Sequence, residues 1–199
     1  MTTPQQFYDR ALAAADADGR LPLPEQSMWE IFPFEHETLT VKPLEPLTLP
    51  EPPRRGEGGD GCWRCANPEE GAAWCNELWA LVPVRESRLP FAATLSPRAH
   101  LDLGDLDDAM AAELGVIAAR VTRAVESLDV VGRVHLNKYG DGGAHLHAFL
   151  AARPAGMLQL RGSCLWLWEE MLPTLPPDEV AGVVETAVAA LADLGEVRV

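Results

Sequence analysis

The chain has 199 residues, 47% of them hydrophobic and 23% charged, which suits a folded domain with a sizeable core. Its formal net charge of -14 repels phosphate backbones and disfavours sequence-independent nucleic-acid binding. No apolar run approaches the length of a membrane span, and the N-terminus lacks the basic start and apolar core of a secretory signal, so the expected location is cytoplasmic, with neither membrane nor nucleic acid as partner.

In chain order, "PQQFYDRALAAADA" (4–17) reads as a short amphipathic helix, and "LTVKPLEPL" (39–47) alternates like a strand. The stretch 43–61 is dense in proline and then glycine, so it reads as an extended arm and mobile loop. This places a boundary between an N-terminal extension (1–60) and a main domain (61–199). "ELWALVPV" and "FAATLSP" are strand-like, with a turn between them. The segment 105–128 is the clearest helix: Met110, Leu114, Ile117, Ala118 and Val121 recur at helical spacing, and Asp105 with Asp108 resembles a cap at its start. "RVHLNKY" and "AHLHAFLAAR" are strand-like runs joined by "GDGG", a hairpin signal. "SCLWLWEEML" predicts a short helix. A second long helix follows, with proline at its start and Gly195 after its end. The order of elements predicts an α+β class, an antiparallel sheet of about five strands with flanking helices.

Two features carry chemistry. "CWRC" is a C-x-x-C in a chain whose thiols are expected to be reduced, so a metal site or a redox pair is favoured over a structural disulfide. A thioredoxin-like pair needs a helix after it, and "CWRCANPEEG" offers Asn, Pro and Gly. A closed structural zinc site takes four nitrogen or sulfur ligands. Cys62, Cys65, His100 at a strand end and His145 would make a Cys2His2 set. Cys75 and Cys164 read as packed thiols. The second feature is the pair His145 and His147. On a strand over 144–150 they share one face with Phe149, while Leu146, Ala148 and Leu150 share the other. An H-x-H pair alone also fits two polar residues on a half-wet strand.

Over roughly 60–160 the sequence resembles the histidine-triad superfamily of nucleotide hydrolases, nucleotidylyl transferases and galactose-1-phosphate uridylyltransferase. The likeness rests on "HLNKYGDGGAHLHAFLAARP" and, upstream, on "CWRC" followed by "NELWALVPV" and "PFAATLSPRAHLDLGDLD". It implies structural zinc on Cys62, Cys65, His100 and His145. It implies a nucleotide as small-molecule substrate, His147 as nucleophile forming a nucleotidyl intermediate, and Asn137 assisting at the phosphate. Backbone N–H groups of Gly142 and Gly143 would cradle phosphate oxygens, and the family is often homodimeric.

Phe149 departs from the pattern. It occupies the third triad position, where hydrolases have histidine and the uridylyltransferase glutamine, and it cannot donate a hydrogen bond. Arg153, Gln159, Arg161 and Lys138 are the candidate substitutes. Two alternatives stay open: a catalytically silent nucleotide-binding or interaction protein on the same scaffold, and a zinc-stabilised scaffold with no nucleotide site. "WLWEEM" reads as core or interface aromatics, and His36 and His135 as incidental, with His135 near the site's periphery.

Overall fold

The computed structural model describes residues 4–198. The chain divides into two compact units, Met1–Pro52 and Pro53–Val199. Among the described residues no helix is long and apolar enough to cross a membrane.

In the first unit, helix α1 spans Pro4–Ala13 and stops short of the expected residue 17. The Asp16 carboxylate explains the early end, because it accepts hydrogen bonds from the Asp18 and Arg20 amides at 2.9 Å each and draws the chain into a turn. Ser27 is buried and its hydroxyl meets both the Pro24 carbonyl and His36 Nδ1 at 2.7 Å. The expected strand over 39–47 does not form. Pro43 and Pro46 bring no N–H to a ladder. A single bridge between Arg20 and Pro43 remains, with the Leu44 amide donating to Gly19 at 2.8 Å.

The second unit is an α+β fold built on one antiparallel sheet. Its strands are β1 (Trp74–Cys75), β2 (Trp79–Pro83), β3 (Phe91–Pro97), β4 (Val131–Asn137), β5 (Ala148–Pro154) and β6 (Glu196–Val197), in the spatial order β4-β5-β3-β2-β1-β6. Six strands form where about five are expected; the two-residue strands β1 and β6 are too short to leave a periodic signal. The helices are α2 (Trp63–Ala66), α3 (Asp108–Glu126), α4 (Leu165–Glu169) and α5 (Pro177–Ala189).

Alternation along β3 and β5 splits the sheet into two faces. One face buries Phe91, Ala93, Leu95, Leu150 and Ala152 against α3 and α5. Helix α3 contributes Ile117, Ala118, Val121 and Val125, the stripe its spacing predicts. Each large side chain fully buried here contributes about 1.5–3 kcal/mol, so this face carries most of the stability. The α3 cap differs from expectation. Asp107 accepts from the Met110 amide at 2.8 Å, whereas Asp105 belongs to a capping box with Asp102 on the preceding 3-10 turn. Helix α5 ends at Ala189, before Gly195. Gly195 instead lies so close to the Cys75 carbonyl that any Cβ there would collide with it.

The other face is lightly covered. Leu89, Ala151, Leu160 and Leu165 form a small second cluster, with Trp166 and Trp168 packed on it. Thr94, Phe149 and Asn137 lie side by side in register on this face, from β3 through β5 to β4. Here the sheet can carry polar side chains without breaking its main core.

Candidate functional site: a Cys2His2 cluster beside an arginine-lined cavity

The link between β4 and β5 runs from Lys138 to His147, longer than the tight hairpin that "GDGG" predicts. His145 and His147 therefore precede the strand instead of lying on it. Their surroundings explain this. The Leu146 amide donates to Leu101 at 2.8 Å, and the Arg55 amide donates to Gly142 while the Ala144 amide donates to Arg55. Residues 54–61, expected as part of a mobile loop, thus pair with the glycine turn through a parallel bridge from Arg55 to Gly143. Gly56 holds a left-handed φ of 75°, and a Cβ there would come within 3.2 Å of the Cys62 Cβ. The tight wrap of this segment around Cys62 needs glycine at that position.

Cys62 precedes α2 and Cys65 sits within it, so one short turn presents both thiols. His100 follows β3 and His145 follows the glycine turn. Their ligand atoms all lie within 4.8 Å of one another, and the set could hold a metal ion. Cys62 Sγ and Cys65 Sγ are each 3.4 Å from His145 Nδ1, and Cys65 Sγ is 3.2 Å from His100 Nδ1. His145 Nε2 lies 2.8 Å from the Pro97 carbonyl. A carbonyl only accepts, so Nε2 carries the proton and Nδ1 offers its lone pair to the thiols. Burial holds the His145 imidazole below its ordinary pKa, opposed by the Pro97 carbonyl and reinforced by His100 and Arg64. Burial and then the adjacent Cys62 push the Cys65 thiol up to about 11.

The same logic fixes His147. Its Nδ1 lies 2.8 Å from the carbonyl of His145, so Nδ1 donates and Nε2 keeps its lone pair. Residue 145 thus serves twice, its ring in the cluster and its carbonyl behind His147. Phe149 meets the His147 ring edge to face at 5.4 Å and is itself backed by Trp166 at 5.8 Å. An aromatic ladder occupies the third triad position.

A cavity of 320 Å³ opens between His147 and the cysteine segment, lined among others by Arg55, Trp63, Arg64, Thr94 and Ser96. Among the described residues no carboxylate lines it, although the chain has 30 acidic residues against 16 Lys and Arg.

No family model matches the sequence, and no curated protein matches it. Solved structures do. A histidine triad protein from Marinobacter aquaeolei VT8 superposes with a TM-score of 0.50 at 15% identity, over 62% of this chain and 90% of that one. The chain has the histidine-triad fold. A histidine triad protein from Bradyrhizobium japonicum gives a TM-score of 0.48 at 21% identity, over 60% of this chain and 88% of that one. A Zn-bound histidine triad family protein from Mycobacterium smegmatis gives 0.47 at 19%, over 67% and 94%.

Within this histidine-triad fold the residues expected around the phosphate are scattered. Gly143 lines the cavity, and Gly142 lies beside it with its carbonyl engaged by Arg55. Asn137 stands across from Phe149 in register, with its side-chain Nδ2 buried and unpartnered among the described residues. The structure does not bring Arg153 to the cavity. Six residues along the strand from His147 is about 20 Å. Its guanidinium is buried against its own backbone, donating to Pro154 at 2.9 Å and Met157 at 3.3 Å. Gln159 and Arg161 are exposed around the 3-10 turn Leu158–Leu160, and Arg161 donates to Leu158 at 2.8 Å. Neither lines the cavity. Lys138 is held 3.1 Å from Asp102. Asp102 also receives Arg54 at 2.5 Å, which ties three distant segments together.

The cations at the cavity are Arg55 and Arg64, which the sequence reading passed over. The signal was available in part, since "RRGEGGDGCWRC" is locally basic in an acidic chain. Arg54 takes Glu57 and Asp102, whereas Arg55 has no carboxylate partner among the described residues.

Proposed function

We propose that this protein is a zinc-containing nucleotidyl hydrolase or transferase acting through His147. The observation that carries the reading is the backbone-locked tautomer of His147 at a cationic, carboxylate-free cavity. An imidazole held by Nδ1 presents Nε2 as a nucleophile, and two guanidiniums favour an anionic substrate in a molecule that otherwise repels one.

The substrate class is a nucleoside phosphate ester, phosphoramidate or dinucleoside polyphosphate. Nε2 of His147 attacks the α-phosphorus. A P–N bond forms as the bond to the leaving group breaks, and the leaving group departs with the electron pair and is protonated from solvent. The His145 carbonyl stabilises the positive imidazole ring of the intermediate. Water, or a second phosphate in a transfer, then attacks phosphorus. The P–N bond breaks and its electron pair returns to Nε2.

Zinc is the metal that the cluster suits. Two thiols and two imidazole nitrogens are the donor set a closed structural zinc site takes; three of their sulfur–nitrogen separations are 3.2 to 3.4 Å, and all four ligand atoms lie within 4.8 Å of one another. Four protein ligands would close the site, so the ion would act structurally, helping to hold His145 and with it the carbonyl behind His147. Reduced thiols at 62 and 65 suit the reducing cytoplasm we assign to it.

The test is denaturing mass spectrometry of intact protein after brief incubation with nucleoside phosphoramidates and dinucleoside polyphosphates, quenched away from low pH. Wild type is expected to carry a nucleotidyl adduct that His147→Ala lacks. No adduct and no turnover across the panel would overturn the enzyme reading in favour of a binding protein silenced at Phe149.

A further inference from the structure

Trp63 is an anomaly of placement. Trp74 and Trp79 are fully buried, yet Trp63 is 56% exposed at the cavity, between the two thiols of the cluster. Trp29 is also exposed, at 44%, so it is the placement of Trp63 at this cavity, not its exposure, that singles it out.

Its position is well fixed. Cys62 and Cys65 bracket it, and the Asn67 amide donates to its carbonyl at 3.0 Å. The Arg64 guanidinium carbon lies 4.9 Å from the ring centroid, a cation–π contact on one face. Arg64 is anchored in turn by the carbonyls of Asn67 at 3.2 Å and Glu70 at 3.3 Å. Trp63 stays exposed with Arg64 on one ring face, and it is one of the residues that line the cavity. At the same cavity, the backbone of Arg55 is bonded to the glycine turn that precedes His147. Its side chain is exposed and has no carboxylate partner among the described residues.

We propose that Trp63 is the stacking platform for the nucleobase and that Arg55 takes the phosphate charge that Phe149 cannot. Both are then specificity-determining residues supplied by the cysteine segment, and the ligand class is a nucleoside 5′-phosphate. This rests on the reading of the cavity as a phosphate site beside His147. Every nucleobase has a π-face, so stacking on Trp63 selects for an aromatic group without choosing strongly among bases. A guanidinium offers paired donors to phosphate oxygens, and among the described residues Arg55 has no competing ion pair to break.

The experiment is titration calorimetry of the zinc-loaded protein with AMP and with ribose 5-phosphate, which lacks the base. The proteins are wild type, Trp63→Ala, Trp63→Phe and Arg55→Gln, each checked for equal zinc content. Wild type is expected to prefer AMP at least tenfold. Trp63→Ala should erase that preference while leaving ribose 5-phosphate affinity unchanged, and Trp63→Phe should keep most of it. Arg55→Gln should weaken both ligands by a common factor of about tenfold. If both ligands bind but Trp63→Ala leaves the AMP preference intact, the platform assignment falls and the phosphate-site reading stands. An Arg55→Gln protein with wild-type affinities overturns the arginine assignment alone. If wild type binds neither ligand, the phosphate-site reading fails and takes this proposal with it.

Discussion

Arg55 and Arg153 lie in different segments of the second unit, one outside the sheet and one on β5, and their fates differ. Arg153 is on β5 in a run that resembles a signature, yet its guanidinium is buried against the carbonyls of Pro154 and Met157. Arg55 comes from a proline- and glycine-rich segment, yet it lines the cavity beside His147. Closeness in sequence to His147 counts for little along a strand, where six residues move a side chain about 20 Å. Closeness in space comes here from a remote backbone pairing, Arg55 against Gly143.

Three substitutions sharpen this contrast. The largest effect belongs to the cavity end. Cys65→Ser should abolish stoichiometric zinc and cost more than about 3 kcal/mol of stability, because loss of a metal site is among the severe classes of mutation. Zinc content by atomic emission and a denaturant melt check it. A variant that keeps both would show that the four-ligand cluster does not hold the fold together.

At the far end, Arg153→Met should cost about 1–3 kcal/mol in stability, since two carbonyls lose a buried donor. Its affinity for AMP should stay within about twofold of wild type by calorimetry, against the common tenfold loss expected for Arg55→Gln. Equal losses in the two arginine variants would erase the distinction drawn between them.

The smallest effect is a pH dependence at Asp102. Burial alone would raise its pKa, but Arg54, the Leu103 amide and Lys138 outweigh it and bring the carboxyl down from 3.8 to about 2. A depressed carboxylate contributes stability that is present above its unfolded pKa and is lost as pH falls through the folded one. Thermal melts of wild type should therefore show a stability decline between about pH 4 and pH 2 that is shallower in Asp102→Asn. Parallel curves would mean that the Arg54–Asp102–Lys138 junction is not a stabilising contact.

Much of the fold is legible in the residues. The spacing of Ile117, Ala118 and Val121 marks the buried stripe of α3, which Val125 extends, and the apolar runs give β2 to β5. The cluster of Cys62, Cys65, His100 and His145 is legible too, because C-x-x-C with well-placed histidines matches the ligand set of a metal site. What stays hidden depends on closure in three dimensions. Asp107 and Asp105 each look like a cap, and only the backbone path decides which α3 uses. "LTVKPLEPL" alternates as a strand should, but strands need donors and a neighbour, and its prolines remove the first. The offset of His145 and His147 from β5 follows from hydrogen bonds to Leu101 and Arg55, far away in sequence.

The spread of the cluster along the chain has a consequence for assembly. Cys62 and Cys65 are close neighbours in the chain, so both thiols would be available to an ion as soon as that segment is made. From Cys65, His100 lies 35 positions downstream and His145 lies 80. An ion held by all four residues would therefore wait until β3 and β5 have paired, and its release would require that pairing to open. The exchange rate of bound zinc with a chelator should then follow the unfolding rate of the sheet, turning metal loss into a clock for the opening of its centre.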